Sequence, residues 1–304
     1  MTVRTGLKQA VEGLLLGAGV AGVARARVRR RSLVLAYHNI VPEGAPPAGD
    51  LSLHIGRSRF AAQLDELGRH AEIVPLDQVL AQPAGGRPRV AITFDDAYRG
   101  AVTFGVDELS RRGLPATIFT APGLLGGHAF WWDALAEPGT GLAADLRRQG
   151  LEELRGQDAA IRTRAGANGR PARDMPDYAR SASEDELRDA VHCCGVTLGS
   201  HTWSHPSLPR LSRAEVADEL SRSRDWLAAR FGSAFVPWLS YPYGHFSPLV
   251  IEEAAAAVYR GALAIEGGWI PPGAPARYAV PRLNIPAGLS TRGFALRAAG
   301  LFCR

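Results

Sequence analysis

Six short apolar segments constrain this 304-residue chain more than any other feature. Residues 33–37, 90–94, 116–120, 196–200, 235–241 and 261–265 are each apolar or β-branched and bounded by Gly, Pro or polar turn residues, as strands buried on both faces are. Helix-period sequence runs between them. Phe60, Leu64 and Leu67 fall at i, i+4 and i+7, as do Val102, Val106 and Leu109. Val216, Leu220, Leu227 and Phe231 carry such a stripe over four turns. Ser183 with Glu186 and Ser212 with Glu215 read as capping boxes that start two helices. Strand alternating with helix predicts an α/β fold on a mainly parallel sheet, either a barrel or open. In both, reactive groups gather at the carboxyl ends of the strands.

Residues 131–189 interrupt the rhythm. They are charge-rich and mostly helical in pattern, with a Gly/Arg/Pro-containing middle at 165–176 that reads as a loop. This stretch is a helical insertion covering or flanking the site, within a single domain over 32–304.

Charge separates that domain from what precedes it. Residues 1–31 hold seven bases and one acid, whereas the rest of the chain has 28 bases and 29 acids. The excess of +5 therefore belongs to a basic amphipathic N-terminal segment, which removes the main support for nucleic-acid binding. The longest apolar stretch, 14–24, contains three glycines and is too short to span a bilayer. Arginines just beyond Ala24-Arg25-Ala26 argue against export, so a cytoplasmic protein is expected. The segment could lie on an anionic membrane surface as a peripheral helix, or be a solvated terminus. Cys193, Cys194 and Cys303 make no disulfide framework or metal spacing and read as incidental thiols of a reducing compartment.

The strand ends carry the chemistry. Strand 90–94 runs into Asp95-Asp96, two adjacent carboxylates that are costly to bury unless a cation meets them. One could bind a metal while its neighbour stays free as a base; the ordinary alternative is a helix N-cap and a first-turn acid. Strand 196–200 ends in His201-Thr202-Trp203-Ser204-His205, two imidazoles at a spacing that can converge on one ion. Thr202 stands where a zincin has its Glu, so a base must come from elsewhere. Strand 235–241 ends in Pro242-Tyr243-Gly244, a tight turn able to aim a backbone N–H at a developing oxyanion. The first strand delivers Tyr37-His38 to the same rim. His128 and His245 have no partner at ligand spacing and are not expected to bind metal.

Thr93-Phe94-Asp95-Asp96, His201-Thr202-Trp203-Ser204-His205 and Pro242-Tyr243-Gly244, in that order, resemble the first three motifs of the polysaccharide deacetylases, the NodB-homology or family 4 carbohydrate esterases. The resemblance runs from about residue 33 to 285. It implies a distorted (β/α) barrel with fewer than eight strands, and hydrolysis of an N-acetyl or similar small acyl group on a glycan. It also implies that Asp96, His201 and His205 ligate one divalent ion, that Asp95 is the base, and that the Tyr243 N–H holds the oxyanion. By ligand type the ion is zinc, with cobalt, manganese or nickel also suited.

Two departures stand out. Where the family commonly has an Arg two residues before the Pro, this chain has Ser240, and Arg282 is the candidate to orient the base instead. The family's late Leu-x-His has no counterpart, because His245 is the only histidine after Gly244. Members with an early Tyr-His resemble Leu35-Ala36-Tyr37-His38-Asn39, which makes His38 the candidate general acid. Trp131-Trp132-Asp133 resembles a segment of exopolysaccharide-associated members; it could stack on sugar rings, but reads mainly as packing that pins the insertion to the barrel. Rival readings are a non-haem iron oxygenase using the same two-His, one-carboxylate set, a catalytically silent carbohydrate-binding relative, and a deformylase of a lipid-linked amino sugar.

Overall fold

The computed structural model describes residues 11–17, 19–46, 48–81, 86–193, 195–270, 273 and 276–302. Seven parallel strands form its centre: β1 (Ser32–Tyr37), β2 (Arg89–Phe94), β3 (Ala116–Thr120), β4 (Val196–Ser200), β5 (Phe235–Ser240), β6 (Gly261–Gly267) and β7 (Val280–Asn284). Each pairs with its sequence neighbour, and β1 also pairs with β7, which closes the ring. Ser32 to Tyr37 lie opposite Arg89 to Phe94 without a slip. The register shifts between β4 and β5 and between β6 and β7, so the barrel is distorted as expected. Glu72–Ile73 pairs with the beginning of β2, below where β3 joins it.

The six expected strands are all present, and the seventh is the one the apolar pattern did not mark. Val280–Asn284 contains Pro281, which has no N–H to give a ladder, and Arg282, whose charge argues against burial. The strand tolerates Pro281 at its register shift, and Arg282 is fully buried because an acid meets it.

Ten helices are named here: α1 (Val20–Val28), α2 (Arg57–His70), α3 (Val106–Ser110), α4 (Trp131–Ala134), α5 (Ala144–Glu152), α6 (Asp158–Ala167), α7 (Glu184–Val191), α8 (Arg213–Phe231), α9 (Pro248–Ala256) and α10 (Thr291–Ala298). Phe60, Leu64 and Leu67 are the buried face of α2, and Val216, Leu220, Leu227 and Phe231 that of α8. Val102 lies on a π-helical turn, Ala101–Gly105, that leads into α3, where Val106 and Leu109 are buried. Both capping boxes are formed, Ser183 with Glu186 on α7 and Ser212 with Glu215 on α8.

The insertion shares the barrel's core: Trp131, Trp132, Leu146, Leu151, Ile161 and Leu187 belong to the same buried cluster as Leu35, Ile92 and Leu198. Its irregular middle is shorter than the sequence suggests, because α6 continues to Ala167. At the other end of the barrel, Ala21 and Ala24 of α1 pack on Leu296 and Ala299 of the α10 region, and Val28 joins the main core. No helix among the described residues is long and apolar enough to cross a membrane. Cys193 is a free, half-buried thiol, and Cys194 and Cys303 lie outside the described residues.

Candidate metal centre and active site

The carboxyl ends of β1, β2, β4, β5 and β7 surround a cavity of about 250 Å³ lined by His38, Asp95, Asp96, His201, His205, Tyr243 and Asn284. Chain geometry there is strained. Of the eight non-glycine residues with positive φ among the described residues, five are Asp96, Ala97, Thr202, His205 and Tyr243. Such conformations cost of order 1–3 kcal/mol each and persist where surrounding structure enforces them.

Asp95 and Asp96 point different ways. Asp95 continues the β2 ladder, its N–H donating to Tyr37 O at 2.9 Å, and its carboxylate meets Arg282. The next residue turns left-handed, with φ 70° at Asp96 and 52° at Ala97, which swings the second carboxylate towards the histidines. No cap bond from either acid starts the following helix, so the N-cap alternative does not describe this turn.

The histidine loop is held from several sides. His201 N–H donates to Thr120 O, and His205 N–H donates to Thr202 Oγ1 at 3.0 Å. Thr202, which cannot act as a base, thus closes the turn that brings the rings together. Glu219 of α8 accepts from the N–H groups of Trp203 and Ser204, and the Arg222 guanidinium stacks 3.9 Å from the Trp203 ring.

Asp96 Oδ1 lies 3.4 Å from His201 Nε2 and 3.2 Å from His205 Nε2, and the two Nε2 atoms are 3.1 Å apart. Donors at about 2.0–2.2 Å from a tetrahedral zinc stand about 3.3–3.6 Å from one another, so this triangle has nearly the dimensions of one face of such a site. His201 Nδ1 lies 2.7 Å from Ser240 O, a carbonyl that can only accept, which leaves a lone pair on Nε2 of the neutral ring. His205 Nδ1 is buried without a partner. These are the one group of three potential ligands converging among the described residues, and the donor set fits a divalent ion. His128 and His245 are exposed and outside it.

Charge in the centre follows from burial opposed by neighbours. Burial raises the Asp96 carboxyl, but the His201 and His205 rings overcome it and hold it below the usual range. Asp95 is likewise raised by burial and then brought down to about 2, chiefly by Arg282. Burial disfavours charge on His201, yet Asp95 and Asp96 outweigh it and raise its pKa; burial and then His201 lower that of His205. His38, partly exposed in the cavity, is lowered by burial against the opposing pull of Asp96 and Asp95.

Arg282 donates to both oxygens of Asp95, at 2.9 Å from Nη1 and 2.8 Å from Nη2. Its remaining N–H groups reach Ala264 O, Thr93 Oγ1 and Ser240 Oγ, so this buried cation is satisfied on every side. Ser240 also donates to Asp95 Oδ2 at 3.2 Å. The small side chain at 240 leaves the room that the guanidinium from β7 fills.

Tyr243 sits at φ 58° inside the Pro242–Gly244 turn. The bonds closing that turn are donated by Gly244 and His245, so neither uses the Tyr243 N–H. Its ring packs on His205, with centroids 4.6 Å apart.

Three contributors carry no motif in the sequence. Ser52, Leu53 and Arg147 line the cavity, and Arg147 is tied to Asp50 at 2.6 Å. Asp133, the last residue of the Trp131-Trp132-Asp133 segment, is fully buried behind them. It accepts from Asp50 N–H at 2.8 Å, His54 Nε2 at 2.9 Å and Tyr98 Oη at 2.5 Å. Tyr98 Oη in turn accepts from Trp132 Nε1 at 2.7 Å, and Trp132 packs 4.9 Å from the His205 ring. Asp133 thus ties the 50–54 loop and the insertion into one wall of the cavity. Gly49 allows the approach: a Cβ there would lie 2.3 Å from Asp133 Oδ1. Trp132 packs, as its sequence context suggested, and is almost wholly buried.

Residues 82–262 match the family model for polysaccharide deacetylase. No curated protein matches the chain in sequence. Among solved structures, the Streptococcus pyogenes deacetylase PplD, in complex with acetate, superposes with a TM-score of 0.61 at 17% identity, covering 86% of this chain and 96% of that one. IcaB from Ammonifex degensii gives 0.59 at 18% identity over 89% and 97%. A de-N-acetylase from Aggregatibacter actinomycetemcomitans gives 0.60 at 15% identity over 88% and 99%. At these identities the superpositions establish the shared barrel.

Proposed function

This chain belongs to the polysaccharide deacetylase family, and on that premise we propose that it is a metal-dependent hydrolase removing N-acetyl, or a similarly small acyl group, from a glycan. The observation that carries the reading is the triangle of Asp96, His201 and His205 beside an unligated carboxylate, Asp95, clamped by Arg282.

Asp96, His201 and His205 would hold the ion, zinc by donor type, with cobalt, manganese or nickel also suited. When bound, such an ion supplies Lewis acidity towards the acyl oxygen and lowers the pKa of water from 15.7 to about 7. Asp95, kept ionised by Arg282, orients the attacking water and takes its proton. The Tyr243 N–H donates to the oxygen that becomes negative in the tetrahedral transition state. His38, from the β1 side, delivers a proton to the departing amine. Trp132 and Tyr243 exclude water from one side of the centre, and the cavity suits one sugar residue with its acyl arm.

The test is metal analysis of the wild type beside Asp96→Asn, followed by acetate release from a panel of N-acetylated glycans. The reading predicts about one ion per wild-type chain, its loss in the variant, and acetate from the wild type alone. Metal-loaded wild type that releases neither acetate nor formate from any member, while still binding glycan, would establish a silent carbohydrate-binding protein instead.

A further inference from the structure

The other end of the barrel carries a feature the deacylase reading does not use. Helix α1 has three distinct faces. Ala21, Ala24 and Val28 are buried against the body. Gly22 and Arg25, with Arg29 at the helix end, face a groove of about 340 Å³ whose far wall includes Arg69, His70 and Arg87. Val20, Val23 and Arg27, at i, i+3 and i+7, are exposed, as is Arg30 just beyond the helix. Just before α1, residues 11–17 are helical, and Leu14 is 72% exposed there; Val23 is 61% exposed.

The groove's charge is uncompensated. Four guanidinium groups line it against one carboxylate, Glu66, which meets Arg25 at 2.9 Å and Arg69 at 2.9 Å. Arg29 and Arg87 bond the neutral carbonyls of Gly86 and Gly68, which leaves their charge and most of their donors available. Outside the described residues, the sequence holds Arg4 and Lys8 and no acid in 1–10, and no charge in 82–85. Exposed apolar side chains beside an excess of arginine offer an anionic lipid surface both a shallow anchor and partners for its phosphates.

We propose that this end of the barrel docks on an anionic phospholipid surface, with Leu14 and Val23 entering the acyl boundary and Arg25, Arg27, Arg29 and Arg30 at the phosphates. The groove lies beside the beginning of β2 and the metal centre follows its end, which sets the catalytic centre roughly 20 Å from the groove at about 3.3 Å per strand residue. On the deacylase reading, that separation favours an extended glycan over a sugar still held at a headgroup.

The test does not depend on catalysis. Full-length protein is sedimented with phosphatidylcholine vesicles, with and without about 30 mol% phosphatidylglycerol, at about 0.1 M and about 0.5 M NaCl. The expectation is at least about tenfold more protein pelleted with the anionic vesicles at low salt, lost at high salt. Both Leu14→Glu/Val23→Glu and Arg27→Glu/Arg30→Glu should abolish that difference while keeping the wild-type circular dichroism and metal content. Equal partition onto both vesicle types, or wild-type recruitment of both variants, overturns the proposal. So does stabilisation by inorganic phosphate without recruitment to vesicles, which would assign the groove to a free anion. A lipid-free dimer that Leu14→Glu/Val23→Glu dissolves overturns it as well, by assigning the face to a second copy.

Discussion

Arg282 and Asp95, separated by 187 positions in sequence, form a two-pronged ion pair with both members buried. The arginine comes from the last strand of the barrel and the acid from the second, so the pair exists only when β1 has brought β7 and β2 together. Arg282→Met should leave a buried carboxylate uncompensated, at a cost of about 3–5 kcal/mol in stability. Deacylation should fall about 10- to 100-fold. Arg282→Lys keeps the charge and loses the fork, so it should recover stability better than turnover. Adding Ser240→Arg to Arg282→Ser should restore part of the rate, since the two positions flank the same carboxylate. Urea denaturation and kcat on one glycan decide the matter; an Arg282→Met protein with unaltered kcat removes Arg282 from any part in tuning the base.

Metal removal is the second test. Chelation should abolish acetate release and lower Tm, and a divalent ion should restore both. At an ion concentration of about 100 Kd, binding contributes about 2.7 kcal/mol, or several degrees in a chain of this size. His205→Ala should show the chelated Tm whether or not metal is present. An unchanged Tm and rate after exhaustive chelation would falsify the assignment of the centre.

Asp133 makes a distinct claim, about shape. Asp133→Ala leaves Asp50 N–H, His54 and Tyr98 without an acceptor, at about 1–3 kcal/mol for each group stranded in the interior. Asp133→Asn is the informative variant, because its amide can accept on one atom only. It should raise KM several-fold more than it lowers kcat, with metal content intact, as the Ser52, Leu53 and Trp132 wall loosens. A change confined to kcat would place Asp133 in the chemistry rather than behind it.

Acid sensitivity is expected at α8. The Ser212 backbone, Arg155 and the Ser212 hydroxyl hold Glu215 down to about 2. A depressed carboxyl stabilises the fold above its unfolded pKa of about 4.3, and the benefit is lost as pH falls towards the folded value. Glu215→Gln should therefore reduce stability at neutral pH and flatten its decline between pH 4.5 and 2. Ser212→Ala should cost about 1 kcal/mol. Thermal melts of wild type and variants across that range provide the check.

What could be read before the fold was known depended on whether a residue's partner is announced nearby. Strands such as Val196–Ser200 declare themselves because both faces are buried and both ends are marked, and their ends delivered Asp95, Asp96, His201 and His205 as a set. Val280–Asn284 did not, because Arg282 and Pro281 look like surface residues until Asp95 is placed opposite. The partners of Asp133 were silent for a similar reason. Asp50, His54 and Tyr98 are ordinary loop, short-strand or helix-approach residues taken singly, and only the closed fold brings them to one carboxylate. Arg147 gave no signal either, since its partner Asp50 lies 97 positions away and a half-exposed arginine on a helix reads as a solvated one.

The five left-handed residues around the centre have a kinetic corollary. An isolated loop would relax out of those conformations, so Asp96 and the two imidazoles have no reason to converge in a growing or refolding chain until the ring of strands is shut. Ion capture should then lag the appearance of parallel sheet in a refolding trace, with the scaffold preceding its cargo.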